Sequence, residues 1–355
     1  HILRRIHQTM TLIVDELPGR TVRVENETFL YFSGTSYLGM GRDPLFNRHL
    51  REGIRRYGTN FSGSRIGNLQ LAVYTEAEQQ LAAFAGAESA LTFSSGFLAG
   101  QAFIRQLPTD AAWFFAPRTH PALWRTEQDN TDGDFTDWTQ QLPAKIARTD
   151  AQTVTLLANS LDPLRAENYR FDWVAQLPAD RHYILVVDDS HGLGITGTNG
   201  GGVFGQLPDL PHVETVVTSS LGKALGLPGG VVLARAERTE RLRHSPFFTA
   251  GSPMSPAHLH AYLQSAELYE NLRKRLEKNV SAFAQQAPAH LFRSFGGYPV
   301  FYTADNSLYK RLYGQKILIS SFPYPSPRHP PITRVVVSAL HKEGDIGKLL
   351  SGLRL

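Results

Sequence analysis

The chain has 355 residues, 42% hydrophobic and 19% charged, with a formal net charge of +4 and no cysteine. The missing cysteine excludes a disulfide scaffold, a cysteine nucleophile and a thiolate metal site. No apolar run approaches the ~20 residues of a membrane span. The opening HILRRIHQTM lacks the apolar core of a signal peptide, so a cytoplasmic protein with no membrane partner is expected. Basic residues form no long block, which argues against nucleic acid as a partner. A modest positive field still favours anionic ligands such as phosphates.

Along the chain, RTVRVENETFLYFSG (20–34) reads as a hairpin turning at Glu25-Asn26-Glu27. DPLFNRHLREGIRRYG (43–58) reads as a helix, capped by Asp43, with Pro44 at its first position and Gly58 at its end. LAVYTEAEQQLAAFAG (71–86) is a second helix. Short apolar runs then alternate with helical patterns. The strand candidates are 90–93, 112–116, 153–158, 183–188, 214–219 and 230–234. Such alternation predicts an α/β fold whose mostly parallel sheet is covered on both faces. A long helical stretch is expected from about Ser255 to Gln286. Three strand-like runs and a closing helix, EGDIGKLLSGL, follow it. This tail is expected to form a small α+β domain joined by the N-terminal hairpin.

The chemistry concentrates at the ends of the apolar runs. In SSLGKALGLPGG (219–230), Lys223 is the single charged residue, in a chain with 8 lysines and 28 arginines. A buried ammonium without a partner tends to lose its proton, and a neutral amine is a nucleophile suited to a Schiff base. The strand YILVVD ends in Asp188-Asp189-Ser190-His191, where open α/β sheets bind ligands. A capping turn is the plainer alternative. Gly192, Gly194 and Gly197 satisfy G-x-G-x-x-G, but loop rather than helix follows, so nicotinamide binding is disfavoured. Ser94-Ser95-Gly96-Phe97 before a helix is a plausible anion cup or an ordinary cap. His120 follows the run 112–116 and can be structural or functional. Arg334, inside ITRVVVSALH, needs an anion, either an internal carboxylate or a substrate's. Together these residues are the set that pyridoxal phosphate chemistry requires. They include no metal site.

The chain resembles the α-oxoamine synthases, a family of fold-type I pyridoxal-phosphate enzymes within the aminotransferase class I/II superfamily. The resemblance runs from TFLYFSGTSYLGMG to TRVVVSALH. It is carried in order by YGTNFSGSR, TFSSGFLAGQA, VVDDSHGLGITGTNGGG and SSLGKALGLPGG. It implies a large domain with a mostly parallel seven-stranded sheet and a small C-terminal α+β domain. The expected boundaries are 1–39 for the hairpin segment, 40–254 for the cofactor-binding domain and 255–355 for the small domain. It implies that Lys223 holds pyridoxal 5′-phosphate as a Schiff base and that Asp188 binds the pyridine nitrogen. His191 would bond the phenolic oxygen, and His120 would stack on the ring. Gly96, Phe97 and Ser220 would bind the phosphate, with Ser160 nearby. Arg334 would hold the amino-acid carboxylate, with Thr35 also on the substrate side. The implied activity is acyl transfer from an acyl-CoA to an α-amino acid with decarboxylation, in a homodimer with its active site at the interface. An aminotransferase on the same scaffold, or a non-catalytic relative kept for binding, are the other readings. Four positions depart from the family pattern. Thr35-Ser36 replace Asn-Asp, Gly201 replaces arginine, and Tyr74 replaces histidine.

Overall fold

The computed structural model describes residues 11–324 and 326–354. The chain divides into two compact units. Of the described residues, the larger holds Asp43–Asp162 and Asn168–Glu270; the smaller holds 11–42, Pro163–Glu167, 271–324 and 326–354. The division therefore falls near 42 and within the helix Ala266–Ala284, rather than at 39 and 254. The reason for the later boundary is packing. Helix Pro256–Leu263 lies against helix Pro44–Tyr57 so closely that a Cβ on Gly53 would meet Ala257 O at 2.6 Å.

In the larger unit the six runs read from the sequence are six strands of one sheet. Their order is Ser89–Phe93, Gly230–Ala234, Val213–Ser220, His182–Asp188, Thr153–Asn159 and Ala112–Phe115. The last four pair in parallel, and Gly230–Ala234 is antiparallel to both of its neighbours. The expected seventh strand is not part of this sheet among the described residues. Instead, the segment after Ala112–Phe115 forms short turns and then helix Phe135–Ile146. There Phe135 stacks on Tyr169 at 4.1 Å, with Trp138 and Phe171 beside it. The strand interiors are apolar because both faces are covered. Phe93, Leu157, Val186, Val216 and Val232 join helix Gly96–Ile104 in one buried core. This topology sets the carboxyl ends Phe93, Phe115, Asn159, Asp188 and Ser220 along one edge.

A second buried feature holds the helices to the sheet. Glu78 accepts from both Arg65 guanidinium nitrogens, from Arg243, and from the Thr92 backbone and hydroxyl. These bonds hold its carboxyl below the ordinary carboxylate range against the opposing effect of burial. Glu78→Ala would strand two guanidinium groups and a strand N–H. It is expected to destabilise the fold by about 3–5 kcal/mol, read as a drop in the urea midpoint. An unchanged midpoint would show that the network is not part of the folded core.

The smaller unit is a five-stranded sheet in the order Thr21–Val24, Glu27–Phe32, Ile317–Pro323, Pro331–Val336 and Val300–Thr303. The N-terminal hairpin turns at Glu25, whose φ is +53°, and joins the tail through parallel pairing of Glu27–Phe32 with Ile317–Pro323. His341 locks this sheet to the chain that leaves it. One ring nitrogen accepts from Ser338 N–H and the other donates to Tyr31 O, while the ring stacks on Phe32 at 3.9 Å. Burial pushes its pKa down to about 4 and keeps it neutral.

Candidate active site

The strand ends in the larger unit carry the site. Ser95 caps helix Gly96–Ile104 by accepting Leu98 N–H, and the Gly96 and Phe97 N–H groups at its start point out of the helix unused. Gly96 has no room for a side chain. A Cβ there would lie 2.6 Å from Ser220 Cα, and one on Gly230 would lie 2.5 Å from Gly96. The sequence TFSSG thus builds an N-terminal cup with Ser220 as its floor. Ser220 Oγ accepts from Gly222 N–H at 3.3 Å, so its hydroxyl proton remains for a ligand. The glycines are what let two strands and a helix start meet at one point.

Lys223 lies in the compact loop after Ser220, among the buried Leu221, Ala224, Leu225 and Leu227. The loop is closed by Leu221 N–H to Gly229 O and Leu227 N–H to Leu221 O. Burial lowers the lysine pKa, while Asp188 and Asp189 oppose the shift. Asp188 ends its strand nearly buried and accepts Ser190 N–H at 2.9 Å. Its other oxygen is 3.9 Å from His120 Nδ1. His120 Nδ1 itself accepts from Ala122 N–H, which places the proton of the neutral ring on Nε2. Burial lowers the His120 pKa, Asp188 raises it and Lys223 lowers it.

His191 occupies the turn after Ser190, half-buried. In that turn Gly192 and Leu193 N–H groups both donate to Asp189 O. Asp189 points away from Asp188, as alternation along a strand requires. It is fully buried and accepts Val203 N–H at 2.8 Å. A Cβ on Gly192 or Gly202 would come within 2.1 Å of its oxygens, so the glycine-rich loop is wrapped around this carboxyl. Burial raises its pKa to about 7. Ser160 donates its N–H to Asp188 O, and its hydroxyl lies beside Asp189, whose pKa it lowers.

Asn159 was not singled out by sequence reasoning, yet it holds His120 in place. Its Oδ1 accepts His120 N–H at 3.0 Å, and its Nδ2 donates to Arg118 O at 2.8 Å. Arg118 has φ of +59°, so the loop needs such a clasp. Two of the family departures have structural explanations. A side chain at Gly201 would meet Phe84 O at 2.5 Å from its Cβ, leaving no place for arginine. Tyr74 donates to Met254 O at 2.7 Å beneath the Arg65 guanidinium.

Arg334 and Thr35 belong to the smaller unit. Thr35 is half-buried in the bend before Tyr37. Arg334 is 4% exposed on the strand Pro331–Val336, pairing with Tyr302 and Ser320. Its Nη1 donates to Pro163 O at 2.5 Å, and its Nε is buried without a partner. Among the described residues no group of three or more His, Asp or Glu side chains could hold a metal ion, and no helix is long and apolar enough to cross a membrane.

A lysine in an apolar loop, a strand-end acid, a histidine beside it and a helix start with open N–H groups fit a pyridoxal-phosphate-dependent transferase of the α/β fold-type I class. The comparisons agree. The model for aminotransferase class I and II matches residues 134–353. An 8-amino-7-oxononanoate synthase from Erwinia tasmaniensis is 30% identical over 356 residues, 94% of this chain and 91% of that protein. One from Yersinia enterocolitica is 30% identical over 369 residues, covering 96% and 92%. Among solved structures, serine palmitoyltransferase of Sphingomonas wittichii superposes with a TM-score of 0.81 at 17% identity, covering 96% and 90%. At those identities the structural likeness speaks for the fold. The chain belongs to the α-oxoamine synthase family within aminotransferase class I and II, and the group that the family resemblance implies is pyridoxal 5′-phosphate. The donor set fits that group: N–H groups for a phosphate, an acid for a ring nitrogen and an amine for an aldehyde.

Proposed function

We propose that the protein joins an α-amino acid to an acyl-CoA with loss of carbon dioxide. The supporting observation is Arg334. Its guanidinium is buried, Nη1 is engaged by a carbonyl, Nε is unpartnered, and no carboxylate of the described residues pairs with it. The Nε–Nη2 edge is the one that grips a carboxylate through two parallel bonds. An arginine in this strand needs one anion, an internal carboxylate or a substrate's, and in this reading it is the substrate's.

Pyridoxal 5′-phosphate, when bound, supplies an aldehyde and an electron-accepting ring. In this reading Gly96 N–H, Phe97 N–H and the Ser220 hydroxyl hold its phosphate. Asp188 would hold the proton on the ring nitrogen, His191 would bond the phenolic oxygen and His120 would stack on the ring. Lys223 would hold that aldehyde through its amine. Burial lowers the lysine's pKa, which suits the same amine to take the α-proton of the amino acid. The α-carbon bonds to the acyl carbonyl as the carbon–sulfur bond breaks. The thiolate of CoA leaves with a proton, the carboxylate departs as carbon dioxide, and the α-carbon takes up a proton from Lys223 or solvent. The product is an amino ketone, the grouping written in the name of the oxononanoate synthases. A homodimer is the assembly this reading carries.

The second reading is an aminotransferase, favoured by the description of the matching family model. Incubation of the holoenzyme with single amino acids, with and without acyl-CoAs, separates the two. Thiol release matched by carbon dioxide supports the condensation; consumption of a keto acid without thiol release overturns it. With Thr35 offering one donor where an asparagine offers two, amino acids bulkier than glycine or alanine are expected to react best. Arg334→Lys should raise the KM for the amino acid by about 10- to 100-fold, since lysine cannot make the paired bonds. The absorbance of the resting cofactor should stay unchanged. Loss of folding instead would assign Arg334 to structure.

A further inference from the structure

Strands Val213–Ser220 and His182–Asp188 pair in parallel as far as Asp188 opposite Thr218. One step further, Asp189 N–H still donates to Thr218 O. Then the chain turns away, and Asp189 O is taken by Gly192 N–H, Leu193 N–H and the Ser219 hydroxyl. The next N–H of the neighbouring strand, that of Ser220, is left without a backbone acceptor from this partner. The Ser190 hydroxyl fills the gap and accepts it at 2.8 Å. Ser190 is 6% exposed, and its own N–H donates to Asp188 Oδ1. One serine therefore ties the ring-nitrogen acid to the residue that floors the phosphate cup.

We propose that Ser190 is a positioning residue for the phosphate end of the cofactor, acting through the Ser220 backbone. The tolerances make this specific. Ser220 Cα and Cβ stand where a Cβ of Gly96 would be, 2.6 Å away. A shift of Ser220 therefore displaces the start of helix Gly96–Ile104 and its two open N–H groups. It also displaces the hydroxyl that Gly222 N–H orients. Without the Ser190 oxygen, a half-buried N–H must find water or move, and either loosens the cup.

The inference rests on the cofactor reading of the site, and the test separates the two. The probes are pyridoxal 5′-phosphate and pyridoxal, which lacks the phosphate. Each is bound to cofactor-stripped protein and followed by absorbance. Ser190→Ala should weaken the phosphorylated aldehyde about five- to tenfold, the worth of one buried hydrogen bond. Pyridoxal binding should be nearly unchanged. Ser190→Thr, which keeps the hydroxyl, should restore the ratio. Ser190→Cys keeps the size with a weak acceptor, and should show the loss even if Ser190→Ala folds poorly. Equal weakening of both aldehydes, or of neither, overturns the role of Ser190. Failure of the wild-type protein to bind either aldehyde overturns the cofactor reading as well.

Discussion

Lys223→Ala should lose about 10⁴-fold or more of the turnover rate, because the proposed function gives one amine both tasks, anchoring the cofactor and carrying the proton. Lys223→Arg should lose as much. Arginine keeps a cation in the loop but stays protonated, and it cannot attack an aldehyde or accept a proton. The pair of variants separates charge from nucleophilicity. The buried surroundings, Leu221, Leu225 and Leu227, are the physical reason the amine is available at all. Borohydride treatment of the holoenzyme should fix the cofactor covalently, and peptide mapping should find it on Lys223. Recovery of the adduct on one of the other seven lysines would overturn the assignment.

The parts of this site that show in the sequence are those whose chemistry allows few residue types. A lone lysine among glycines and leucines stands out, and so does an acid ending an apolar strand. The cup was legible because close approach leaves only glycine at 96 and 230, and helix starts favour serine. Asp43 capping its helix through Leu45 and Phe46 N–H followed the same logic. What stayed hidden depends on register. Asn159 works because its strand pairs it with Asp188 and its side chain reaches the loop at Arg118 and His120. Ser190 works because the neighbouring ladder ends one residue too soon. Neither fact can be read from residue type, since both serine and asparagine are ordinary turn residues.

The fold shows the same division. The six strand runs were legible from apolarity alone, and the closing helix Glu343–Leu353 has the bounds that its sequence suggests. The single helix expected over 255–286 is two, Pro256–Leu263 and Ala266–Ala284. The first ends where Ser265 N–H bonds back to Tyr262 O in a tighter three-residue turn, yet the apolar pattern passes through without interruption. A seventh strand was expected by resemblance. The aromatic cluster around Phe135 and Tyr169 lies in the chain after Ala112–Phe115, and no period-2 pattern there pointed to a strand.

Asp188→Asn should reduce turnover by about 10³-fold, while Asp189→Asn reduces it by less than about tenfold. The two acids are adjacent in the chain and differ in what their charge does. Asp188 faces His120 and raises the pKa of both His120 and Lys223, so it is felt as an anion by the groups around it. Its amide analogue still accepts Ser190 N–H but cannot hold a proton on a ring nitrogen by charge. The pKa values of Lys223 and His120 should both fall further in that variant, since the charge that raises them is gone. Asp189 instead works by shape. Burial raises its pKa, so its charge is disfavoured where it sits, and an amide oxygen can accept Val203 N–H as well as a carboxylate oxygen does. Asp189→Glu is the sensitive change there, because Gly192 and Gly202 leave no space for another methylene. It should loosen the glycine-rich loop and lower the melting temperature. The measurement is α-proton exchange of the amino acid into deuterated solvent, alongside thermal unfolding of each variant. Equal losses of exchange in Asp188→Asn and Asp189→Asn would remove the distinction between the charge that drives the chemistry and the carboxyl that shapes the loop.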